Sequence, residues 1–201
     1  MMGESVVEID LFVEDRAHEA FIGAVIRRIA REMEKTVRMC MRSARGGHGR
    51  AITELKLYQR SILKSGGFLR MPDLIFVAID ANCKSFNAAK KEITENIEEL
   101  FADRSVIACP DPHIERWYLA DVKSFARVVG RQPGTSRRKC ERDVYKSLLA
   151  STIAEAGHPP TLGGIEFAEE LVNDMDFYRA GKAERSFQHF INDAVSRIKS
   201  A

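Results

Sequence analysis

Leu74-Ile-Phe-Val-Ala-Ile79 is the most hydrophobic run in the chain, and it stops abruptly at Asp80-Ala-Asn82. An uninterrupted apolar run bounded by polar residues reads as a buried strand. Toward the N-terminus, Gly66-Gly67 closes a helix expected over about 51–63, which the glycine-rich loop Ser43-Ala-Arg-Gly-Gly-His-Gly-Arg50 joins to a strand at Thr36–Met41. Before it, Phe21, Ile22, Val25, Ile29 and Met33 recur at helical spacing over 17–33, and the Val- and Ile-rich run Val6–Val13 forms the first strand, stopped by Glu14-Asp15. Toward the C-terminus, a polar amphipathic helix is expected over about 87–101 and a short strand over 105–109. After Pro110-Asp-Pro-His113 comes a helix carrying Glu115, Trp117 and Leu119, with Asp111 as its expected N-cap and Pro112 as its first residue. Such alternation implies an α/β fold with a mostly parallel four-stranded sheet and helices on both faces. Beyond Asp121 only helical patterns follow, at about 122–129, 141–156, 163–175 and 185–198. Residues 1–121 therefore read as the α/β core and 122–201 as a C-terminal helical extension packed on it, within one domain.

The composition fits this reading. The chain has 201 residues, 45% hydrophobic and 30% charged, which excludes disordered, collagenous and disulfide-scaffold classes. Four widely spaced cysteines, Cys40, Cys83, Cys109 and Cys140, show no zinc or thioredoxin spacing and read as reduced core thiols. No basic leader and no membrane-length apolar run is present, so the expected location is the cytoplasm. The net charge of +2 is a sum of opposed blocks: 27–70 holds twelve basic and three acidic residues, and 123–146 eight and two. By contrast, 92–121 holds eight acidic and two basic residues, and 155–178 six acidic and none basic.

In an open parallel sheet, functional groups gather where the strands end. Glu14, Asp80 with Asn82, and Glu115 all fall at that edge. Carboxylates brought together repel unless a proton or cation intervenes, and a hard divalent ion such as Mg2+ or Mn2+ suits oxygen ligands better than zinc. Each residue also has a plain structural reading, as a strand-end turn or as favourable charge at a helix start.

These residues resemble a known family. Phe12-Val-Glu14-Asp15 followed by His18-Glu19-Ala-Phe21 looks like the opening of a Toprim domain, Ile75 to Asn82 like its Asp-x-Asp strand, and Pro110 to Asp121 like the Pro-x-x-x-x-Glu-x-Trp segment of small stand-alone Toprim-like proteins. Those proteins are related to the nuclease half of the overcoming-lysogenisation-defect proteins. The resemblance implies a Toprim-like fold and a nuclease that hydrolyses phosphodiester bonds with Mg2+ or Mn2+, DNA being the favoured substrate. Proteins of this kind resemble nuclease subunits of bacterial defence systems that work with a separately encoded ATPase. By position, Glu14, Asp80 and Glu115 would be catalytic, and Glu14, Asp80, Asn82 and Glu115 would hold metal, with Asp15, His18 and Glu19 as second-line candidates. Asp15 stands for a usual glycine, Asn82 for an aspartate and His18 for an acid, so the alternatives are a catalytically degenerate nucleic-acid-binding or regulatory subunit, and a ribonuclease.

Two basic regions fit a polyanionic partner: Arg45 and Arg50 around the glycine-rich loop, and the cluster Arg131, Arg137, Arg138, Lys139 and Arg142. The loop lacks the Gly-Lys-Ser/Thr ending of a nucleotide P-loop. Trp117 reads as a core anchor.

Overall fold

The computed structural model describes residues 6–42, 46–136, 138–141 and 143–201. Arg45, Arg137 and Arg142, named above as nucleic-acid contacts, lie outside the described residues. Four strands, β1 (Val6–Val13), β2 (Thr36–Met41), β3 (Leu74–Ala78) and β4 (Ser105–Ala108), form one sheet in the order β2-β1-β3-β4, parallel throughout. The α/β architecture expected from the sequence is present.

The side-chain period of two divides the core. Val7, Ile9, Leu11 and Val13 of β1, with Phe76 of β3 and Val106 of β4, pack on α1 (Arg16–Glu32) and on helices of the C-terminal extension. Phe12, Ile75 and Val77 face the opposite side, against α2 (His48–Lys64), α3 (Phe86–Thr94) and the short α4 (Glu99–Ala102). The expected helix 87–101 is thus two. The buried amide of Gln59 holds the break, donating to Asn96 O (2.9 Å) and accepting from Glu98 N (2.8 Å).

The next helix, α5 (Ile114–Tyr118), starts later than expected. Pro110 and Pro112 carbonyls accept from Ala81 N (2.8 Å) and Asn82 N (2.9 Å), so this backbone continues the β3–β4 ladder and cannot yet be helical; His113, not Asp111, is the N-cap. Trp117 is fully buried, stacks on Phe190 and donates to Ser186 Oγ (2.9 Å).

The extension comprises α6 (Val122–Val129), α7 (Val144–Glu155), a 3-10 turn at Ile165–Phe167, α8 (Ala168–Asp174), α9 (Phe177–Ala183) and α10 (Arg185–Ser200). Helix α9 has no counterpart in the sequence expectation, and α7 begins after 141. The acidic stretch 155–178 covers the basic face of α1: Glu169 pairs with Arg27 (2.5 Å), Asn173 with Arg31 (2.8 Å), and Arg28 donates to the carbonyls of Val172 and Met175. Among the described residues no helix is long and apolar enough to cross a membrane.

Candidate functional site

The strand order reverses between β1 and β3: the chain leaves β1 toward β2 on one side and β3 toward β4 on the other. Loops diverging at such a point leave a crevice at the carboxyl edge. Glu14 directly follows β1 and Asp80 closely follows β3. Glu14 N donates to Ala78 O (3.0 Å), and its side chain then accepts from Asp80 N (3.1 Å), which folds the carboxylate across the end of the neighbouring strand.

Asp15 is the N-cap of α1, accepting from Ala17 N (2.9 Å) and His18 N (3.1 Å). This cap places His18, 0% exposed, between two carboxylates: Nδ1 lies 2.8 Å from Asp15 Oδ1 and Nε2 lies 3.0 Å from Asp80 Oδ1. Ionised carboxylates only accept, so both ring nitrogens must donate and His18 is an imidazolium. Burial works against that charge, but Asp80 and Asp15 outweigh it and raise the His18 pKa well above the usual imidazole value. His113, the N-cap of α5, holds the other Asp80 oxygen from Nδ1 (3.1 Å), and that bond raises its pKa too. Burial opposes ionisation of Asp80 and Asp15 as well, yet their histidine partners hold Asp80 below its ordinary value and Asp15 at about 2.

Glu14 and Glu115 behave in the opposite way. Burial pushes both carboxyls up, and the nearby Asp80 charge adds to the shift of each. Both line a cleft of about 580 Å³ together with Asp15, Arg16, Gly46, Gly47 and Lys146, and Ala17, Leu162 and Ile165 form its apolar wall. Helix α2 starts at this cleft on Gly47, whose φ of 84° favours glycine and whose lack of a side chain leaves the helix without a side-chain cap.

One side-chain atom each of Glu14, His18 and Asp80 lies within 4.8 Å of the others. With both His18 nitrogens donating, the available lone pairs belong to the carboxylate oxygens, so the donor set fits a hard ion such as Mg2+ or Mn2+.

The structure therefore brings together Glu14, Asp80 and Glu115, and adds Asp15 and His18. Asn82 is not among them: it is exposed, sits at φ 55° and donates from Nδ2 to Asp80 O (3.2 Å), the behaviour of a turn residue. Glu19 lines a different groove with Arg27 and Glu169. The described basic candidates are paired with acids, Arg50 with Glu54 (3.0 Å), Arg131 with Glu155 (2.7 Å), Arg138 with Glu141 (2.8 Å) and Lys139 with Asp111 (2.6 Å). The cations that reach the cleft are instead Arg16 and Lys146. Sequence reasoning singled out neither, nor His113 as a partner of Asp80.

Comparison with family models, with curated proteins and with solved structures returned no match. The site stands on its geometry: two carboxylates at the sheet's switch point, a third beside them, and two histidines that hold one of the pair.

Proposed function

We propose that the chain is a metal-dependent phosphodiesterase that hydrolyses nucleic acid, DNA by preference, in the cytoplasm. The observation that carries the reading is the convergence of Glu14, Asp80 and Glu115 at the switch point of the sheet, with Asp80 buried behind a cleft that Glu14 and Glu115 line and whose rim also bears Arg16, Lys146 and the start of α2. Glu14 and Asp80 are the residues that would hold a divalent cation. When bound, such an ion polarises a phosphoryl oxygen and makes nearby water a better nucleophile. Arg16, Lys146 and the first amides of α2 bind the phosphate and set its orientation. His18 and His113 fix the rotamer of Asp80 by occupying one oxygen each. Glu115, with its raised pKa, can hold a proton beside the reacting phosphate and exchange it with water or a leaving oxygen. The Toprim-like motifs support DNA as substrate, a role in bacterial defence or DNA processing, and a separately encoded ATPase as partner.

A second reading has its own support. Both Asp80 oxygens are already held by histidines and Asn82 turns outward, which suits a nucleic-acid-binding subunit without hydrolysis.

Plasmid DNA and structured RNA, incubated with the chain and Mg2+ or Mn2+, separate the two. Under the hydrolase reading the wild type cuts one of them, and Glu14→Ala or Asp80→Ala lowers the rate by at least ~100-fold while the circular dichroism spectrum stays native. Cleavage that survives both substitutions refutes the site. Mn2+ that raises Tm in the wild type without any cleavage, even with a partner ATPase added, favours the binding subunit.

A further inference from the structure

Helix α5 borders two cavities. Glu115 lines the cleft, while the next residue, Arg116, lines a separate polar cavity of about 700 Å³. Segments distant in sequence build this second space: the start of α3 brings Phe86, the loop before α5 brings Asp111, and the start of α10 brings Arg185, Ser186 and His189. Its volume falls within the range of about 300–1,000 Å³ usual for small-ligand sites.

The cavity is cationic. Arg116, Lys139, Lys182 and Arg185 line it with two acids, and both acids are already matched, Glu184 by Arg116 (2.5 Å) and Asp111 by Lys139 (2.6 Å). Neither Lys182, which lies 4.5 Å from the centre of the Tyr178 ring, nor Arg185 has an acidic partner among the described residues. Ser186, only 5% exposed, accepts from Trp117 Nε1 (2.9 Å). An indole N–H only donates, so the serine keeps a proton of its own to give, and among the described residues nothing accepts it. Glu184, the N-cap of α10, gives its carboxylate to Arg116, which leaves the amides that open this helix without a side-chain cap. Uncommitted cations and a buried uncommitted donor in one cavity fit an oxyanion. Beside them stands a flat pair: Phe86 and His189 stack with ring centres 5.3 Å apart and planes 18° apart, and His189 is exposed. Cations next to a ring platform recognise a nucleotide, phosphate and base together.

We propose that this cavity is a second binding site, for one phosphate-bearing nucleotide unit: Lys182, Arg185 and Ser186 take the phosphate, and the Phe86–His189 pair takes the base. The unit is a free nucleotide or one nucleotide of a strand that continues past the cleft, and the recognising chemistry is the same for both. The site needs no cation and neither Glu14 nor Asp80, so it stands or falls apart from the hydrolase reading.

Trp117 is the single tryptophan of the chain and is bonded to Ser186 at the cavity wall, so its fluorescence reports on the site. The full-length chain is titrated with adenosine 5′-monophosphate, with inorganic phosphate, and with a thymidine hexanucleotide that lacks terminal phosphates. Binding is followed by tryptophan fluorescence and by calorimetry. EDTA is present so that no strand is cut. A reductant is present because Cys83 and Cys140 are exposed where core thiols were expected, only Cys109 being buried.

The expected result is saturable binding of the mononucleotide, the hexanucleotide or both, at least ~10-fold tighter than that of inorganic phosphate. Arg185→Ala and His189→Ala, both at exposed positions, should each weaken it ~10-fold while the circular dichroism spectrum stays native. Binding of the mononucleotide alone identifies a free nucleotide as the ligand, and binding of the hexanucleotide identifies a strand. No binding of either overturns the proposal, as does binding that either substitution leaves intact. Inorganic phosphate that binds as tightly as the nucleotides also overturns it, because the ring pair would then contribute nothing.

Discussion

Asp80 and Asp121 are both buried carboxylates at the start of a polar network, yet their surroundings differ in kind. Asp121 caps α6 and is surrounded by donors that do not titrate near neutrality: Ser124 Oγ (2.7 Å), Asp176 N (2.9 Å) and Arg179, whose Nε and Nη2 lie 3.2 and 2.8 Å away. Burial opposes its charge, but Arg179 and the backbone donors keep its pKa far below the usual carboxylate range. No cavity described above opens on it. Asp80 is held by two titratable rings, and the two further carboxyls beside it, Glu14 and Glu115, line a cleft. A carboxylate that is fully compensated ties helices together, whereas one that shares its cations with its neighbours has capacity left for a ligand.

Removing Asp121 should break this comparison on its structural side and give the largest stability effect. Asp121→Ala leaves Asp176 N and Ser124 without their acceptor and should cost about 3 kcal/mol in urea unfolding. The pH dependence sharpens the contrast. Because the folded pKa of Asp121 lies below the ordinary 3.8, its stabilisation is complete above that value and is lost as pH falls toward the folded value. Because His18 titrates well above 6.5 when folded, its contribution is complete below 6.5 and is lost as pH rises through its folded pKa. Metal-free wild type should therefore lose stability at both ends of the pH range. Asp121→Asn should reduce the acid-side loss, leaving the part that Asp15 and Asp80 contribute, and keep the alkaline fall; an unchanged acid side would show that Asp121 does not carry its share of it.

How much of this division is legible in the sequence depends on distance along the chain. Glu14, Asp80 and Glu115 can be read because each ends an apolar run or opens a helix, and strand ends in a parallel sheet share one edge. His18 is legible in part. It shares the buried helical face of Phe21, Ile22 and Val25, and a histidine there needs a buried partner, but nothing local identifies Asp80 as that partner. Lys146, Leu162 and Ile165 reach the cleft from the helical extension, so only tertiary packing reveals them. Asp111 is misread for a related reason: Asp-Pro before an apolar run is a good helix start, yet pairing with Ala81 and Asn82 keeps that backbone extended.

A smaller effect of opposite sign is expected at the cleft. Burial raises the pKa of Glu14 and Glu115, so their ionised forms work against folding when no cation is present. Glu115→Gln removes that charge with little change in shape. In differential scanning calorimetry at neutral pH it should raise the Tm of the metal-free protein and reduce the further rise caused by Mn2+. A lower Tm without metal would mean that Glu115 is compensated as Asp121 is, and the distinction between the two regions would fail there.

The smallest effect belongs to Asn82, where the resemblance to Toprim-like sequences leads one to expect a metal-binding aspartate and the structure puts a turn. A φ of 55° is costly for most residues, tolerated by asparagine and free for glycine. If Asn82 serves the backbone alone, Asn82→Gly keeps the turn, loses only the bond to Asp80 O, and should change stability by less than about 0.5 kcal/mol. Mn2+ affinity, measured by calorimetric titration, should be unchanged. A large loss of affinity in Asn82→Gly would show that its side-chain oxygen swings inward to join Asp80 when the cation arrives. The edge of β3 would then be a site that completes itself on binding, and the contrast with the fully matched Asp121 would be one of rearrangement as well as of charge.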